Sequence, residues 1–282
     1  MREESVVSVV MAVYQPHPDY FREAVRSVLE QTYDRVELII VEDPSNTPAR
    51  DVLRQFPDSR IRHVVNPVRT SLVRSRNQGL NLARGELVAM LDADDVCQPS
   101  RIEKQVGYLE GHDEVCVVGT QMELIASSGK RRGWRRYPLD HQSIVRAMAR
   151  FNPIGQPTAM LRKRTAMALG EYFYEDCETE DYDLWCRLAR KGARFANLPE
   201  ALVRYRIHPG ARKAQTLRQT LRGTIGVKRK YWKNDMGPAD RLRMYAEYLM
   251  LLLPPSLVYR LFILTECRAA GDGRDGMRGE RA

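Results

Sequence analysis

The chain has no C-x-x-C pair and no zinc-type spacing among its five cysteines, Cys97, Cys116, Cys177, Cys186 and Cys267. An odd, unpatterned set argues against a disulfide-stapled scaffold or a zinc finger, and reads as reduced, intracellular thiols. No glycine fingerprint follows the first apolar run and no Walker A loop occurs, so neither NAD nor ATP held in a P-loop is expected. Met1-Arg2-Glu3-Glu4 lead straight into an apolar run, and no signal peptide is expected. The apolar stretch from Tyr245 to Leu264 is interrupted by Glu247, Arg260 and Pro254-Pro255, so it is not expected to cross a bilayer. Within residues 211–233 only Tyr231-Trp232 accompany the Arg and Lys residues. That is too few aromatics for a stacking platform, and no nucleic acid partner is expected.

What is present points to a large α/β domain with an appendage. A hydrophobic fraction of 43% over 282 residues suffices for a sizeable core, and 29% charged residues argues for a soluble protein. The net charge of +9 is unevenly placed. Residues 1–199 carry 28 basic and 28 acidic side chains, whereas residues 200–282 carry 17 and 8, which is the entire excess. A basic C-terminal third suits an anionic membrane surface, although any single Lys there suits a solvated helix face equally well.

Strand and helix alternate over the first hundred residues. Buried strands are expected at Val6–Val13, Val36–Val41 and Leu87–Leu91, a shorter strand at Ile61–Val65, and helices from Pro18 to Leu29, after Thr47-Pro48, and from Leu72 to Arg84 with Gly85 as its C-terminal cap. Right-handed crossovers then give a mostly parallel sheet with helices on both faces. Beyond it the pattern predicts a helix at Arg101–Leu109, a strand at Val115–Thr120 and a hairpin region at 122–130. A basic, aromatic loop at Arg131–Arg136, a helix at Ile144–Phe151, a short strand at Thr158–Leu161 and a last strand at Leu202–His208 follow.

Two acidic clusters stand out. The apolar run Leu87–Leu91 enters Asp92-Ala93-Asp94-Asp95, at a strand's carboxyl end, where open α/β sheets bind ligands. Three anions so close call for a positive partner, and a divalent cation shared with substrate phosphates is the usual one; helix capping is the simpler alternative. The second cluster, Glu175 to Asp183, precedes a helix whose apolar stripe is Leu184, Trp185, Leu188 and Ala189. Its Glu180 and Asp181 either complement the helix dipole or supply a base aimed into the cleft.

These residues resemble a family. Val9-Val10-Met11-Ala12-Val13-Tyr14-Gln15, the strand ending Glu42-Asp43, Arg76-Asn77-Gln78-Gly79-Leu80, Leu91-Asp92-Ala93-Asp94-Asp95, Thr179-Glu180-Asp181-Tyr182-Asp183-Leu184-Trp185 and Tyr205-Arg206-Ile207-His208 are similar, in order and spacing, to family-2 glycosyltransferases of the GT-A fold. The resemblance covers about residues 5–210 and implies a Rossmann-like, mostly parallel sheet. It also implies a metal-dependent, inverting transferase of the hexosyltransferase class, using a nucleotide-diphospho-sugar. It implies nucleotide-sugar contacts from Ala12, Tyr14, Asp43, Arg76, Asp92, Ala93 and Asp94, a divalent Mn²⁺ or Mg²⁺ held by Asp94 and His208, and Asp181 as the catalytic base. The implied acceptor is a glycan or lipid-linked glycan, in bacterial cell-surface polysaccharide synthesis.

Three positions depart from the family pattern: Glu42-Asp43-Pro44-Ser45 replaces Asp-Asp-Gly-Ser, Gln15 replaces a common Asn, and Gln156 stands where many relatives carry a His near the acceptor. The expected organisation is a GT-A domain at 1–210, a basic and apolar helical extension at 211–268 and a disordered tail at 269–282. The expected location is the cytoplasm, with the extension either peripheral at the membrane's cytoplasmic face, the favoured reading, or packed on the domain. Two other functions share parts of the signal: a haloacid-dehalogenase-type phosphatase with Asp92 as nucleophile, and a non-catalytic nucleotide-sugar or membrane binder.

Overall fold

The computed structural model describes residues 6–168, 173, 177, 179–208, 210 and 216–253. Strands β1 (Val7–Val13), β2 (Val36–Glu42), β3 (Ile61–Val65) and β4 (Leu87–Met90) pair in parallel, in the order β3-β2-β1-β4. Their crossovers carry α1 (Pro18–Leu29), α2 (Arg50–Leu53) and α3 (Leu72–Leu82). Beyond β4 the order continues β8-β6-β9-β5, with β5 at Val96–Cys97, β6 at Val115–Ala126, β8 at Met160–Arg162 and β9 at Arg194–Ile207. The β8 strand runs antiparallel to both β4 and β6, and the long β6–β9 ladder is again parallel. This is the GT-A-like α/β architecture expected.

Alternation along the strands divides the core into two layers. Val7, Val9, Met11 and Val13 pack with Phe21, Val25 and Val28 of α1 and with Ile102, Val106 and Leu109 of α4 (Arg101–Glu110). On the other face Val10, Ile39, Val88 and Met90 pack with Val73 and Leu80 of α3, Ile144 of α5 (His141–Ala147) and Trp185 and Leu188 of α7 (Glu180–Arg190). A short α6 (Lys163–Ala168) follows β8. Gly79 lets α3 approach the sheet: a Cβ there would lie 2.3 Å from Val10 Cγ1.

The extension is part of this core. Helix α8 (Leu217–Trp232) places Ile225, Val227 and Trp232, and α9 (Pro238–Met250) places Met244, in the cluster that holds Trp185. Buried Lys228 of α8 donates to both carboxylate oxygens of Glu247 of α9 at 2.7 Å. Among the described residues, no helix is long and apolar enough to cross a membrane. The expected tail at 269–282 and the second half of the Tyr245–Leu264 stretch lie outside the described residues.

Three local expectations are corrected. Arg131–Arg135 is not a loop but a strand, β7, antiparallel to β6. Helix α3 ends at Leu82, and Ala83, not Gly85, is its cap. Gly85 serves a close approach instead, since a Cβ there would lie 2.3 Å from the Val6 carbonyl oxygen. The last strand begins at Arg194, eight residues before the expected Leu202, and absorbs Pro199 by shifting register against β6 near Thr120–Met122.

Candidate active site

The strand order reverses direction around β1, whose neighbours are β2 and β4. Ligands of open α/β sheets bind outside the carboxyl ends at such a switch point. Tyr14, Asp43 and Leu91–Asp95 follow the ends of β1, β2 and β4, so these positions emerge on one edge because the three strands are parallel and in register. The turn after β1 is strained at Gln15, whose φ is +49°. That left-handed conformation suits Asn better than Gln, which gives physical content to the departure at this position. Tyr14 is 39% exposed, with the Arg69 guanidinium 4.1 Å from its ring centroid. Ala12 is half-buried in β1 opposite Val41.

Asp43 is buried and well supplied with donors. Its Oδ1 accepts from Asn66 Nδ2 and Thr70 Oγ1, both at 2.8 Å, and its Oδ2 from the Thr70 backbone N–H at 2.9 Å. It therefore ties the 66–71 loop to the end of β2. Its neighbour Glu42 accepts from the Ala49 N–H at 2.7 Å and lies 2.7 Å from His63 Nε2, which accounts for a Glu at this departure from the family pattern.

The two acidic clusters meet on one cation. Arg76, buried on α3, donates from Nη2 to Asp92 Oδ1 at 2.9 Å and from Nη1 to Glu180 Oε1 at 2.5 Å. Burial alone would depress its guanidinium, but Asp92, Glu180 and Asp181 raise it above the ordinary value. Asp92 is pushed up by burial and by Asp94, against the pull of Arg76.

Asp94 Oδ2 lies 2.9 Å from His208 Nε2. The imidazole leans on Tyr20, which stacks on His17. Ala93, half-buried, sits between Asp92 and Asp94 in the same turn. Among the described residues there is no group of three or more metal-type side chains. Asp94 and His208 are nevertheless a carboxylate and an imidazole side by side, and these donor types suit a divalent ion that takes its remaining ligands from phosphate and water.

Asp95 is fully buried; its Oδ1 accepts from the Arg206 N–H at 2.8 Å, and its Oδ2 has no hydrogen-bond partner among the described residues. Burial, with Asp94 and Asp92 nearby, holds its carboxyl well above the ordinary range.

Asp181 approaches from the other side, at the start of α7. Its Oδ2 accepts from Asn152 Nδ2 at 2.8 Å and its Oδ1 from the Tyr182 N–H at 2.8 Å. Burial and the adjacent Glu180 raise its carboxyl to about 6, against the pull of Arg76. Glu180 is engaged by Arg76, whereas Asp181 is held by Asn152 and a backbone N–H. Glu175, Asp176 and Glu178 of the same run lie outside the described residues.

Three contributors carried no assigned role in the sequence reading. Arg206, 1% exposed, donates to the Asp94 carbonyl oxygen at 2.9 Å and to Glu23 Oε2 at 2.5 Å, over the Tyr20 ring. It fastens β9 to the Asp94 turn and to α1. Asn152 holds Asp181, and Tyr20 supports His208. Only Arg206 left a usable trace, as an Arg two residues before the motif histidine on a strand whose side chains alternate. Gln156, at a short 3₁₀ turn, is buried with neither amide atom hydrogen-bonded among the described residues.

The pattern of the Glycosyl transferase family 2 domain matches residues 8–170. A glycosyltransferase of Haemophilus influenzae described as uncharacterized is 34% identical over 215 residues, 72% of this chain and 66% of that protein. The O-antigen biosynthesis glycosyltransferase WbnJ of Escherichia coli is 30% identical over 74% of this chain and 82% of its own length. The UDP-Glc:alpha-D-GlcNAc-diphosphoundecaprenol beta-1,3-glucosyltransferase WfaP of Escherichia coli is 28% identical over 79% and 88%. In fold the chain is similar to the mannosyltransferase PcManGT of Pyrobaculum calidifontis, solved with GDP-Man and Mn²⁺, at a TM-score of 0.62 and 16% identity over 99% of this chain and 77% of that one. The matched region holds β1, the Arg76 helix and the Asp92–Asp95 turn, and from these matches the chain belongs to glycosyl transferase family 2, as a glycosyltransferase of the GT-A fold.

Proposed function

We propose that this glycosyltransferase moves a hexose from a nucleotide-diphospho-sugar to an acceptor hydroxyl with inversion, in the assembly of a bacterial surface polysaccharide on a lipid-linked acceptor. One observation carries the reading: Arg76 bonds both acidic clusters, which supports a shared site for the Asp92–Asp95 turn, with its Asp94–His208 pair, and the start of α7, with Asp181. Asp43, Tyr14, Ala12, Asp92 and Ala93 line the nucleotide and sugar side, with Arg76 beside the diphosphate. Asp94 and His208 would hold a divalent ion, Mn²⁺ or Mg²⁺. When bound, that ion supplies positive charge to the departing diphosphate.

Asp181 accepts the acceptor hydroxyl's proton while that oxygen bonds to the anomeric carbon and the bond from that carbon to the diphosphate oxygen breaks. No carboxylate nucleophile is needed, because inversion takes a single displacement. A base raised to about 6 is ionised at neutral pH yet basic enough to share the proton, which is the balance that general-base catalysis favours. Asn152 fixes which oxygen is turned to the acceptor, and holding the two substrates in line supplies further acceleration.

The lipid-linked acceptor is supported by WfaP, whose name gives a diphosphoundecaprenol acceptor, and the metal by the Mn²⁺ complex of PcManGT. Residues 1–210 would then form the catalytic unit and 211–268 an extension serving it from the cytoplasmic side of a membrane. Neither alternative function gains support: Asp92, the nucleophile a phosphatase would need, is engaged by Arg76.

The test combines two variants with a panel of UDP-, dTDP- and GDP-sugars. Asp181→Asn keeps donor and Mn²⁺ binding in a thermal-shift assay but lowers transfer by about 10²–10⁴-fold. Asp94→Ala weakens metal-dependent donor binding. Full turnover by Asp181→Asn would remove the base assignment, and an unchanged Mn²⁺ titration of Asp94→Ala would remove the metal assignment.

A further inference from the structure

Helix α9 has two apolar faces, and among the described residues only one of them packs on the catalytic domain. Met244 is buried, and Tyr248 and Leu251 pack against the core. On the opposite side Leu242, Tyr245, Leu249 and Leu252 are 72%, 62%, 64% and 79% exposed. Their spacing of three, four and three residues aligns them along one side of the helix and its final turn. The described chain has eight exposed large hydrophobic residues, and these are four of them. A grouping of this kind on one helix marks an interaction site, whereas single exposed leucines need no explanation.

A basic stripe borders it. Arg218, Arg222, Arg229 and Lys233 are exposed at helical spacing along α8. Two of them reach over to α9: Arg218 Nη2 donates to the Leu253 carbonyl oxygen at 2.7 Å, and Arg229 Nη1 to Tyr248 Oη at 3.1 Å. Arg241 and Arg243 are exposed on α9 itself. No acidic residue interrupts the Leu242–Leu252 line; Glu247 is turned inward onto Lys228.

We propose that this α8–α9 surface is a docking face for an anionic bilayer, with the leucines and Tyr245 entering the headgroup boundary and the flanking cations reading lipid charge. The inference deepens the lipid-linked acceptor reading by placing the membrane on a stated surface, and its test measures binding without turnover, so each can fail separately. Charge selects the occupant. An apolar stripe rimmed by cations is the composition of a helix lying in a membrane interface, and clustered Arg and Lys complement anionic lipid. A second copy of this chain would bring like-charged rims together across a two-fold axis. A nucleic acid would leave the leucines unused.

The experiment is vesicle co-flotation of the full chain with phosphatidylcholine alone and with phosphatidylcholine plus phosphatidylglycerol. Wild type floats with the anionic vesicles and is released by salt. The doubly substituted Leu242→Glu/Leu249→Glu protein, whose changes are at exposed positions, keeps its melting temperature and loses partitioning by at least about tenfold. Arg222→Glu/Arg229→Glu loses the preference for phosphatidylglycerol. Equal binding to both vesicle types, or leucine variants that float like wild type, would overturn the proposal. So would a wild-type dimer in light scattering that the leucine variant dissolves, which would make a second copy the occupant. A lowered melting temperature of the leucine variant without any vesicle binding by wild type would assign the face to residues 254–268 of the chain and equally refute the bilayer.

Discussion

The acidic cluster after β4 and the one opening α7 look alike as strings of carboxylates, and the fold divides them in the same way. In each, one member is spent on Arg76: Asp92 in the first, Glu180 in the second. In each, a second member takes another partner, Asp94 beside His208 and Asp181 beside Asn152, and these are the two to which we assign the chemistry. The third members differ. Asp183 is surrounded by donors, with Arg187 Nε at 2.6 Å, Tyr231 Oη at 2.8 Å and Lys230 Nζ at 3.2 Å, and two of those donors come from α8. Asp95 has one backbone N–H and an unpartnered oxygen. The α7 cluster is thus anchored by the extension, whereas in the β4 cluster burial and two neighbouring carboxylates oppose ionisation of Asp95. Crowding of this kind is relieved by a nearby cation.

The largest test removes what the clusters share. Arg76→Leu leaves Asp92 and Glu180 facing each other without their cation, and breaking a buried pair in this way costs about 3–5 kcal/mol. Urea unfolding should show that loss. A change below about 1 kcal/mol would mean that the clusters are held apart by the backbone alone, and the comparison would lose its common centre.

Next comes the anchor. Asp183→Ala strips buried Arg187, whose guanidinium burial already pushes down to about 10, of its carboxylate, and should cost about 2–4 kcal/mol. Because α7 carries Asp181 at its first turn, kcat should fall as well, at little change in the KM for the donor. If stability falls and kcat does not, α8 supports the fold and leaves the base unaffected.

The pH dependence separates the chemical members. Burial and Glu180 hold Asp181 near 6, above its unfolded range near 4, so the folded state keeps a proton that the unfolded state releases between those values. Its contribution to stability is present below about 4 and is lost as pH rises through about 6. Activity runs the other way: kcat/KM should climb with unit slope through about 6 as the carboxylate forms. An acid limb near 4 would reassign the base.

Much of this division was illegible in the chain. Apolar runs marked β1, β2 and β4 because strands buried on both faces need them, and the parallel pairing of these strands brings the residues after those runs to one edge. Strand β7 escaped notice because Arg131-Arg132-Gly133-Trp134-Arg135 is held by pairing with β6 and buries Gly133 alone, which leaves no apolar pattern. The basic character of 211–233 hid Ile225, Val227 and Trp232, which put α8 in the core. Arg76 could be placed near phosphate by its motif, but its bridge to Glu180 spans 104 residues, and no local signal encodes such a contact. The same holds for Asp43, whose donors come from Asn66 and Thr70.

The smallest expected effect is the most discriminating. Asp95→Asn keeps an oxygen to accept the Arg206 N–H and puts an amide where the unpartnered carboxylate oxygen stood. It adds a buried donor, which costs free energy if no acceptor turns toward it, and removes a carboxyl whose ionisation burial, Asp94 and Asp92 oppose, which returns some. These oppose, so stability should stay within about 1 kcal/mol of wild type, against the larger loss for Asp183→Ala. Transfer should fall by less than about tenfold, because Asp95 holds the turn to β9 through one backbone bond that the amide preserves. A loss of Mn²⁺-dependent donor binding as deep as that of Asp94→Ala would instead place Asp95 among the metal's own ligands. The two clusters would then differ in kind, the β4 carboxylates all spent on the donor and the α7 carboxylates shared between base and scaffold.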